Sequence, residues 1–228
     1  MRNDYLKEKL EKNPFIVLGE EVYKVLYNDI IQLNILPGTR LSESKIAKEF
    51  GTSRTPVKNA IDRLKEDGLV ITEQGKAHVI TLNKKEGRQL YEARLALEGY
   101  AVFLAATRIN ESQLEQLHQL VIEYNHSANT EDFLNHAYYD HEFHKIIMKA
   151  ADSPYIMNLY ETIESRILHY RNSLLINVPP DRFRTILSRA GKCHTAIYNA
   201  IRLGFAEIAK NEMERDINGM MDVFVEWN

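Results

Sequence analysis

The sequence is poor in cysteine and has no long apolar run. Cys193 is the single cysteine of 228 residues, so neither an internal disulfide nor a cysteine-rich zinc site can form. The charged first twelve residues lack the apolar stretch of a secretory signal, and no run approaches the roughly 18 apolar residues that span a bilayer. These absences predict a soluble, cytoplasmic protein that does not contact a membrane.

Charge is unevenly distributed along the chain. Up to Lys85 there are 15 basic and 12 acidic residues, whereas the remainder has 14 basic and 20 acidic residues. A mildly basic front and an acidic back are expected when only the front meets nucleic acid. The length suits two domains, and the pattern of elements places their boundary near residues 82–86.

The front part has the pattern of a winged helix-turn-helix. Apolar spacing predicts helices over about 15–36, 42–50 and 53–68, the last two separated by a three-residue turn that begins at Gly51. Two β-prone runs at 69–72 and 78–81 then predict a hairpin, the wing. We expect a loose segment at 1–14 and a DNA-binding domain at 15–82.

The back part is predicted to be helical throughout. Six helices are expected at about 86–108, 111–127, 131–151, 153–176, 180–203 and 205–226. Prolines at 154, 179 and 180 and Gly204 mark three of the breaks. The predicted fold class is therefore mainly α, a winged helix-turn-helix followed by an all-α bundle of six or seven helices over 83–228.

The third predicted helix begins with side chains that suit DNA. A helix in the major groove reads bases near its N-terminal end, where Arg54 can bond guanine through two N–H groups. Ser53 and Thr55 can hold phosphate oxygens, and Lys58 can reach phosphate or base. Gly75, at the wing tip, would let the backbone approach the minor groove. An ordinary charged helix face is the alternative, but the order of elements favours DNA reading.

A second constellation lies on the third helix of the back part. Asp140 and His144 are four residues apart and therefore share one helix face, together with His136. An oxygen and a nitrogen at this spacing can share a metal ion. A hydrogen-bonded pair on the surface is the alternative interpretation.

Several segments resemble a known family. Residues 37–43, 51–57 and 67–69 are similar to the signature of the GntR family of bacterial regulators, which implies that Arg54, Thr55 and the position of Lys58 meet DNA. The family commonly has arginine where Lys58 stands, and lysine lacks the planar fork for bidentate base reading. The resemblance also implies a homodimer on a pseudo-palindromic operator in double-stranded DNA.

The helical part resembles the FCD-type effector-binding domain of the FadR-like subgroup, through residues 91–98, 140–144, 150–155 and 193–197. Members with a metal site use one aspartate and three histidines, and the matching positions here are Asp140, His144, His194 and Asp216, the last in place of a histidine. Two oxygens and two nitrogens suit Zn²⁺, Ni²⁺ or Mn²⁺, with a preference shifted toward Mn²⁺. Alternatively, the site is degenerate and Asp216 is a salt-bridging acid.

The resemblance further implies a small carboxylate effector that completes the coordination of the metal. Arg94 is the residue expected to bind it bidentately, while a pair with Glu98 on a solvated face is the alternative. We therefore predict a sequence-specific transcription regulator controlled by such an effector, and not an enzyme, because no nucleophile, phosphate-binding glycine loop or paired base accompanies the cluster. The alternatives are a mononuclear metal enzyme and a regulator that senses the metal itself.

Overall fold

The chain divides into two compact units. The structure is a computed structural model that describes residues 2–13, 15–127, 133–176 and 178–225. The N-terminal unit consists of residues 1–82 and 168–173, and the helical unit of residues 83–167 and 174–228. Across the described ranges, no helix is both long enough and apolar enough to cross a bilayer.

The N-terminal unit is a winged helix-turn-helix, as the sequence predicts. Its elements in chain order are α1 (Arg2–Lys12), α2 (Leu18–Ile31), β1 (Arg40–Leu41), α3 (Glu43–Phe50), α4 (Arg54–Glu66), β2 (Val70–Glu73) and β3 (Lys76–Val79). Ser42 caps α3 by accepting a hydrogen bond from the Lys45 amide. Gly51 ends α3 in the left-handed region, with a φ of 64°, which turns the chain toward α4.

The core of this unit lies between α2 and α4. Both helices bury one apolar face and leave the other in solvent, as their spacing predicts. The buried side chains form one cluster that includes Val22, Leu26, Ile30, Val57, Ile61 and Leu64. Because the inner face of α4 is held in this cluster, its polar face is presented outward.

The wing contains one strand more than the predicted hairpin. The strand order is β1-β3-β2, and both pairs are antiparallel. Gln74 and Gly75 form the turn at the tip, with φ values of 50° and 73°. The additional strand, β1, has only two residues, too few to show an alternating pattern in the sequence.

The prediction of a loose segment at 1–14 is wrong for residues 2–12, which form helix α1. Leu6 is buried in the core of the N-terminal unit. Arg2 bonds Asp29 at 2.5 Å and Glu49 at 2.7 Å. The segment is short and polar, so its order comes from partners distant in sequence, which a local pattern does not reveal.

The six helices that the sequence predicts for the back part are all present, with ends that differ by at most two residues. They are α5 (Lys84–Arg108), α6 (Glu111–Ser127), α7 (Phe133–Ala150), α8 (Pro154–Leu175), α9 (Pro180–Arg202) and α10 (Ala206–Val225). Asn83 and Glu86 form a reciprocal capping box that starts α5 two residues early. Helix α5 packs against α7, α9 and α10, an arrangement that brings polar side chains of four helices together.

Candidate functional site

The N-terminal end of α4 presents an exposed polar face. Ser53, Arg54, Thr55 and Lys58 are all exposed. The apolar side of the same helix is buried in the core, so these four side chains point away from it. The geometry is that of a helix able to offer its first turn to a partner.

Arg54 has an acidic neighbour that the sequence did not indicate. Its Nη2 atom donates a hydrogen bond to Glu43 Oε2 at 2.9 Å. The Arg54 side chain is 68% exposed and that of Glu43 is 33% exposed. One edge of the guanidinium is thus held by Glu43 from the start of α3. This contact depends on how α3 and α4 cross, and spacing alone does not show it.

The wing tip is a separate part of the candidate surface. Gly75 is exposed, and a Cβ atom added there would meet no heavy atom within 4 Å. Its φ of 73° lies in the region that glycine adopts most readily. The backbone at the tip is therefore open to close approach.

The four predicted metal ligands come together within the helical unit. Asp140 and His144 lie on α7, His194 on α9 and Asp216 on α10. Ligand atoms of Asp140, His144 and His194 lie within 4.8 Å of one another. Asp216 Oδ2 is 3.4 Å from His144 Nε2 and 3.8 Å from His194 Nε2, and Asp140 Oδ1 is 3.6 Å from His194 Nε2.

These separations fit a shared cation better than direct hydrogen bonds. Good N–H···O bonds measure about 2.7–3.2 Å. Two ligand atoms that are each about 2.1 Å from a tetrahedral metal ion lie about 3.4 Å apart. Both ring nitrogens of His194, and Nε2 of His144, are buried without a hydrogen-bond partner among the described residues. Unpartnered buried nitrogens facing carboxylates are a donor set that a divalent ion would satisfy.

A buried acid lies behind His144. His144 Nδ1 is 2.7 Å from Glu98 Oε2, which leaves Nε2 facing Asp216. Metal-ligating histidines commonly use their second nitrogen in this way, which fixes the orientation of the ring. The sequence suggests Glu98 only as a surface partner of Arg94. Its contact with His144 on α7 arises from helix packing, which local spacing does not reveal.

Arg94 is paired and buried. Its Nε and Nη2 atoms donate hydrogen bonds of 2.6 and 3.3 Å to the two oxygens of Glu98. The side chains are only 5% and 1% exposed, so this pair is not on the solvated face that the alternative interpretation assumed. Arg94 therefore already has a carboxylate partner within the chain.

Neighbouring charges in the cluster shift the pKa values of His144 and Asp216. Burial, the largest single influence, would lower the pKa of His144, but the neighbouring acids Glu98 and Asp216 together outweigh it and the pKa rises to about 9. Burial would raise the pKa of Asp216, yet His194 and His144 hold it well below its ordinary value. At neutral pH, metal-free protein thus holds a protonated His144 between two acids. Because a ligating imidazole is neutral, metal binding has to release this proton.

Aromatic rings surround the histidines. Phe143 stacks on His194 with ring centroids 4.1 Å apart, and Tyr124 lies 4.4 Å from the same ring. Tyr124 also packs against His136, which meets Ser127 at 2.9 Å rather than joining the ligand cluster. These contacts restrict the rotation of His194 and so help to direct Nε2 toward the acids.

Known families match both units. The profile of the FCD domain matches residues 89–219, and that of the bacterial regulatory proteins of the gntR family matches residues 18–80. The HTH-type transcriptional repressor RspR of Escherichia coli is 28% identical over 169 residues, 74% of this chain and 74% of RspR.

Two further proteins are similar to this chain. The gluconate operon transcriptional repressor of Bacillus subtilis is 35% identical over 155 residues, 66% of this chain and 63% of the repressor. Among solved structures, Escherichia coli McbR/YncC superposes with a TM-score of 0.77 at 20% identity, over 94% of this chain and all of that one. The superposition shows a shared fold.

Proposed function

Because the chain belongs to the GntR family of bacterial regulatory proteins and carries an FCD domain, we propose that a divalent metal ion bound in the helical unit controls how tightly the N-terminal unit holds its DNA operator. The chain is a DNA-binding transcription regulator, as the sequence predicts, and not the metal-dependent enzyme of the alternative interpretation. Such a regulator acts where the DNA is, in the cytoplasm. The observation that carries the proposal is the convergence of four ligand-type side chains from three helices.

The polar face of α4 is the proposed reading surface. Arg54 is exposed and has one guanidinium edge held by Glu43, so its remaining N–H groups can meet the O6 and N7 atoms of a guanine. Ser53 and Thr55 are assigned to phosphate oxygens, and Lys58 to phosphate, where a point charge suffices. Gly75 brings the backbone of the wing tip to the minor groove.

The operator is proposed to be a short inverted repeat bound by a homodimer. Each N-terminal unit has a single reading helix, which covers only one half-site. A two-fold symmetric pair of such helices matches a pseudo-palindrome and multiplies the discrimination of each half-site.

Asp140, His144, His194 and Asp216 are the residues proposed to hold the ion. Two imidazole nitrogens and two carboxylate oxygens suit Zn²⁺, Ni²⁺ or Mn²⁺, and the oxygen share favours Mn²⁺ relative to a site of nitrogens alone. When bound, the ion supplies a positive centre that joins α7, α9 and α10. A conformation in which these side chains converge is then favoured over one in which they do not, by the difference in affinity of the two for the ion.

The sequence also predicts a small carboxylate effector at Arg94. Glu98 occupies two of the N–H groups of Arg94 and compensates its charge, so an external carboxylate would either displace Glu98 or share the same cation with it. A carboxylate effector would therefore compete with Glu98 for Arg94.

Selection of binding sites from random duplex DNA tests the proposal. Purified protein is used at physiological salt, once with a chelator and once with Mn²⁺, Zn²⁺ or Ni²⁺. We expect enrichment of a short inverted repeat, to a degree that differs between the two conditions. Equal enrichment with and without metal would contradict metal control, and no enrichment in any condition would contradict the assigned reading surface.

A further inference from the structure

Two of the four proposed ligands are carboxylates, and their combined charge equals that of a divalent ion with opposite sign. Asp140 and Asp216 each contribute one negative charge, while His144 and His194 ligate as neutral imidazoles. A divalent ion held by these four side chains forms a group with no net charge. The protein thus neutralises the ion completely with its own residues.

The charges of the side chains immediately behind the ligands also cancel one another. Arg94 and Glu98 form a buried pair of opposite charges, and the same glutamate contacts Nδ1 of His144. An external anion that joined this neutral arrangement would be a buried charge without a counter-charge. Burial of such a charge carries a large desolvation cost.

The cation within the cluster that would attract a carboxylate is already engaged. Both oxygens of Glu98 accept hydrogen bonds from Arg94, at 2.6 and 3.3 Å. An incoming carboxylate would either displace Glu98, which would remain buried, or share Arg94 through its remaining N–H groups, so that two carboxylates would face one cation. Exchange of one carboxylate for another at the same cation gives no electrostatic gain.

We propose that Asp216 and Glu98 take the place of an anionic co-ligand, so that the helical unit binds a divalent cation as its signal and excludes carboxylates from the site. Asp216 supplies the second negative charge next to the ion, and Glu98 compensates the charge of the nearby Arg94. The inference rests on the proposed metal control. It restricts the signal to the metal ion, without a carboxylate effector.

The test compares metal binding in the presence and absence of a simple carboxylate. Metal-free full-length protein is titrated with Mn²⁺ or Zn²⁺ by calorimetry, with and without acetate, which chelates these ions only weakly. In the wild-type protein we expect one ion per chain and less than about a twofold change in affinity on addition of acetate. In Asp216→His, which keeps a ligand but removes one charge, acetate should tighten metal binding about tenfold or more.

Two further variants sharpen the comparison. Asp216→Asn removes the same charge without adding a nitrogen ligand, so it should bind the ion more weakly and also gain dependence on acetate. Glu207→Gln removes one charge from an exposed position of the same helix and should behave like the wild type. Circular dichroism establishes that each variant is folded before its titration is interpreted.

The outcomes separate the inference from the proposal on which it rests. Acetate that tightens metal binding in the wild type as strongly as in Asp216→His would overturn the exclusion of anions but leave metal control intact. Absence of acetate dependence in both folded Asp216 variants would also overturn it. Folded wild-type protein that binds no ion would contradict both the inference and metal control.

Discussion

Each unit of the molecule contains an arginine paired with a glutamate, and the two pairs differ mainly in burial. Arg54 and Glu43 meet through one contact of 2.9 Å, with most of the arginine in solvent. Arg94 and Glu98 meet through two contacts and are almost completely buried. The residue types are the same, but only the exposed pair is accessible to a molecule from outside.

The difference shows how burial determines what an ion pair can do. An exposed pair has a low net energy, because water solvates both partners almost as well when they are apart. Arg54 can therefore leave or share Glu43 when DNA arrives. A buried pair cannot separate without leaving a charge uncompensated, so Arg94 and Glu98 act as a fixed support for His144.

Glu98→Gln is expected to have the largest effect. It leaves the buried charge of Arg94 without a counter-charge, and should lower the free energy of unfolding of metal-free protein by about 3–5 kcal/mol. Urea denaturation followed by circular dichroism measures this. Arg88 and Glu92 provide a matched control, because they have the same spacing on the same helix but are exposed. Glu92→Gln should cost less than about 1 kcal/mol, and equal costs for the two variants would remove the contrast.

Arg54→Ala should weaken binding to the selected operator by about 1–3 kcal/mol, because a bidentate contact to guanine is lost. Its free energy of unfolding should remain unchanged, since the side chain is exposed. Fluorescence anisotropy with operator and with unrelated duplex measures both affinities. The control, Lys58→Ala, should weaken both affinities alike, as expected for a phosphate contact. An unchanged operator affinity in Arg54→Ala would show that α4 is not the reading helix.

Metal affinity should rise with pH by about tenfold per unit between pH 6.5 and 9, because His144 must lose its proton before it can ligate. The pKa of His144 is raised to about 9 in the folded protein, so its protonation stabilises the metal-free state fully below about pH 6.5, and this contribution is lost as pH rises through 9. Calorimetry in buffers of different ionisation enthalpy counts the released protons. Metal affinity that does not change over this range would contradict the protonated state of His144.

Glu43→Gln should have the smallest effect. It should raise the affinity for unrelated duplex but lower the preference for the operator. Removal of a negative charge next to the reading helix should raise affinity for unrelated duplex by about threefold or less. The ratio of operator to unrelated affinity should fall, because Arg54 loses the partner that holds one edge of its guanidinium. Anisotropy titrations at one fixed salt concentration measure both values. An increased ratio would show that Glu43 competes with DNA for Arg54 rather than positioning it.

The polar face of α4, the proposed reading surface, was largely predictable as a structure because its determinants are local. Ser42, Gly51 and the apolar spacing of α4 lie within about twenty-five residues of one another, and each has a known effect on helix ends and faces. Glu43 as a partner of Arg54 was not predictable, since the contact joins two helices across their crossing. Helix α1 was missed because Leu6 and Arg2 obtain their order from α2 and α3.

The buried cluster was less accessible to sequence reasoning. The spacing of Asp140 and His144 indicated one shared helix face, but His194 and Asp216 were included only through resemblance to a family. Glu98 is four residues from Arg94, and local spacing suggests a common surface pair. Its burial and its contact with His144 arise from the packing of α5 against α7, which is a property of the whole unit.

The most direct test of metal control is the affinity for operator DNA during a titration with Mn²⁺, measured by anisotropy for the wild type and for His194→Ala. His194 is buried in the proposed ligand cluster and distant in sequence from the proposed reading helix. The wild type should change its operator affinity by about fivefold or more as the ion binds, and the variant should not respond. The same response in both proteins, or ion binding to the wild type without a change in operator affinity, would contradict metal control by this cluster.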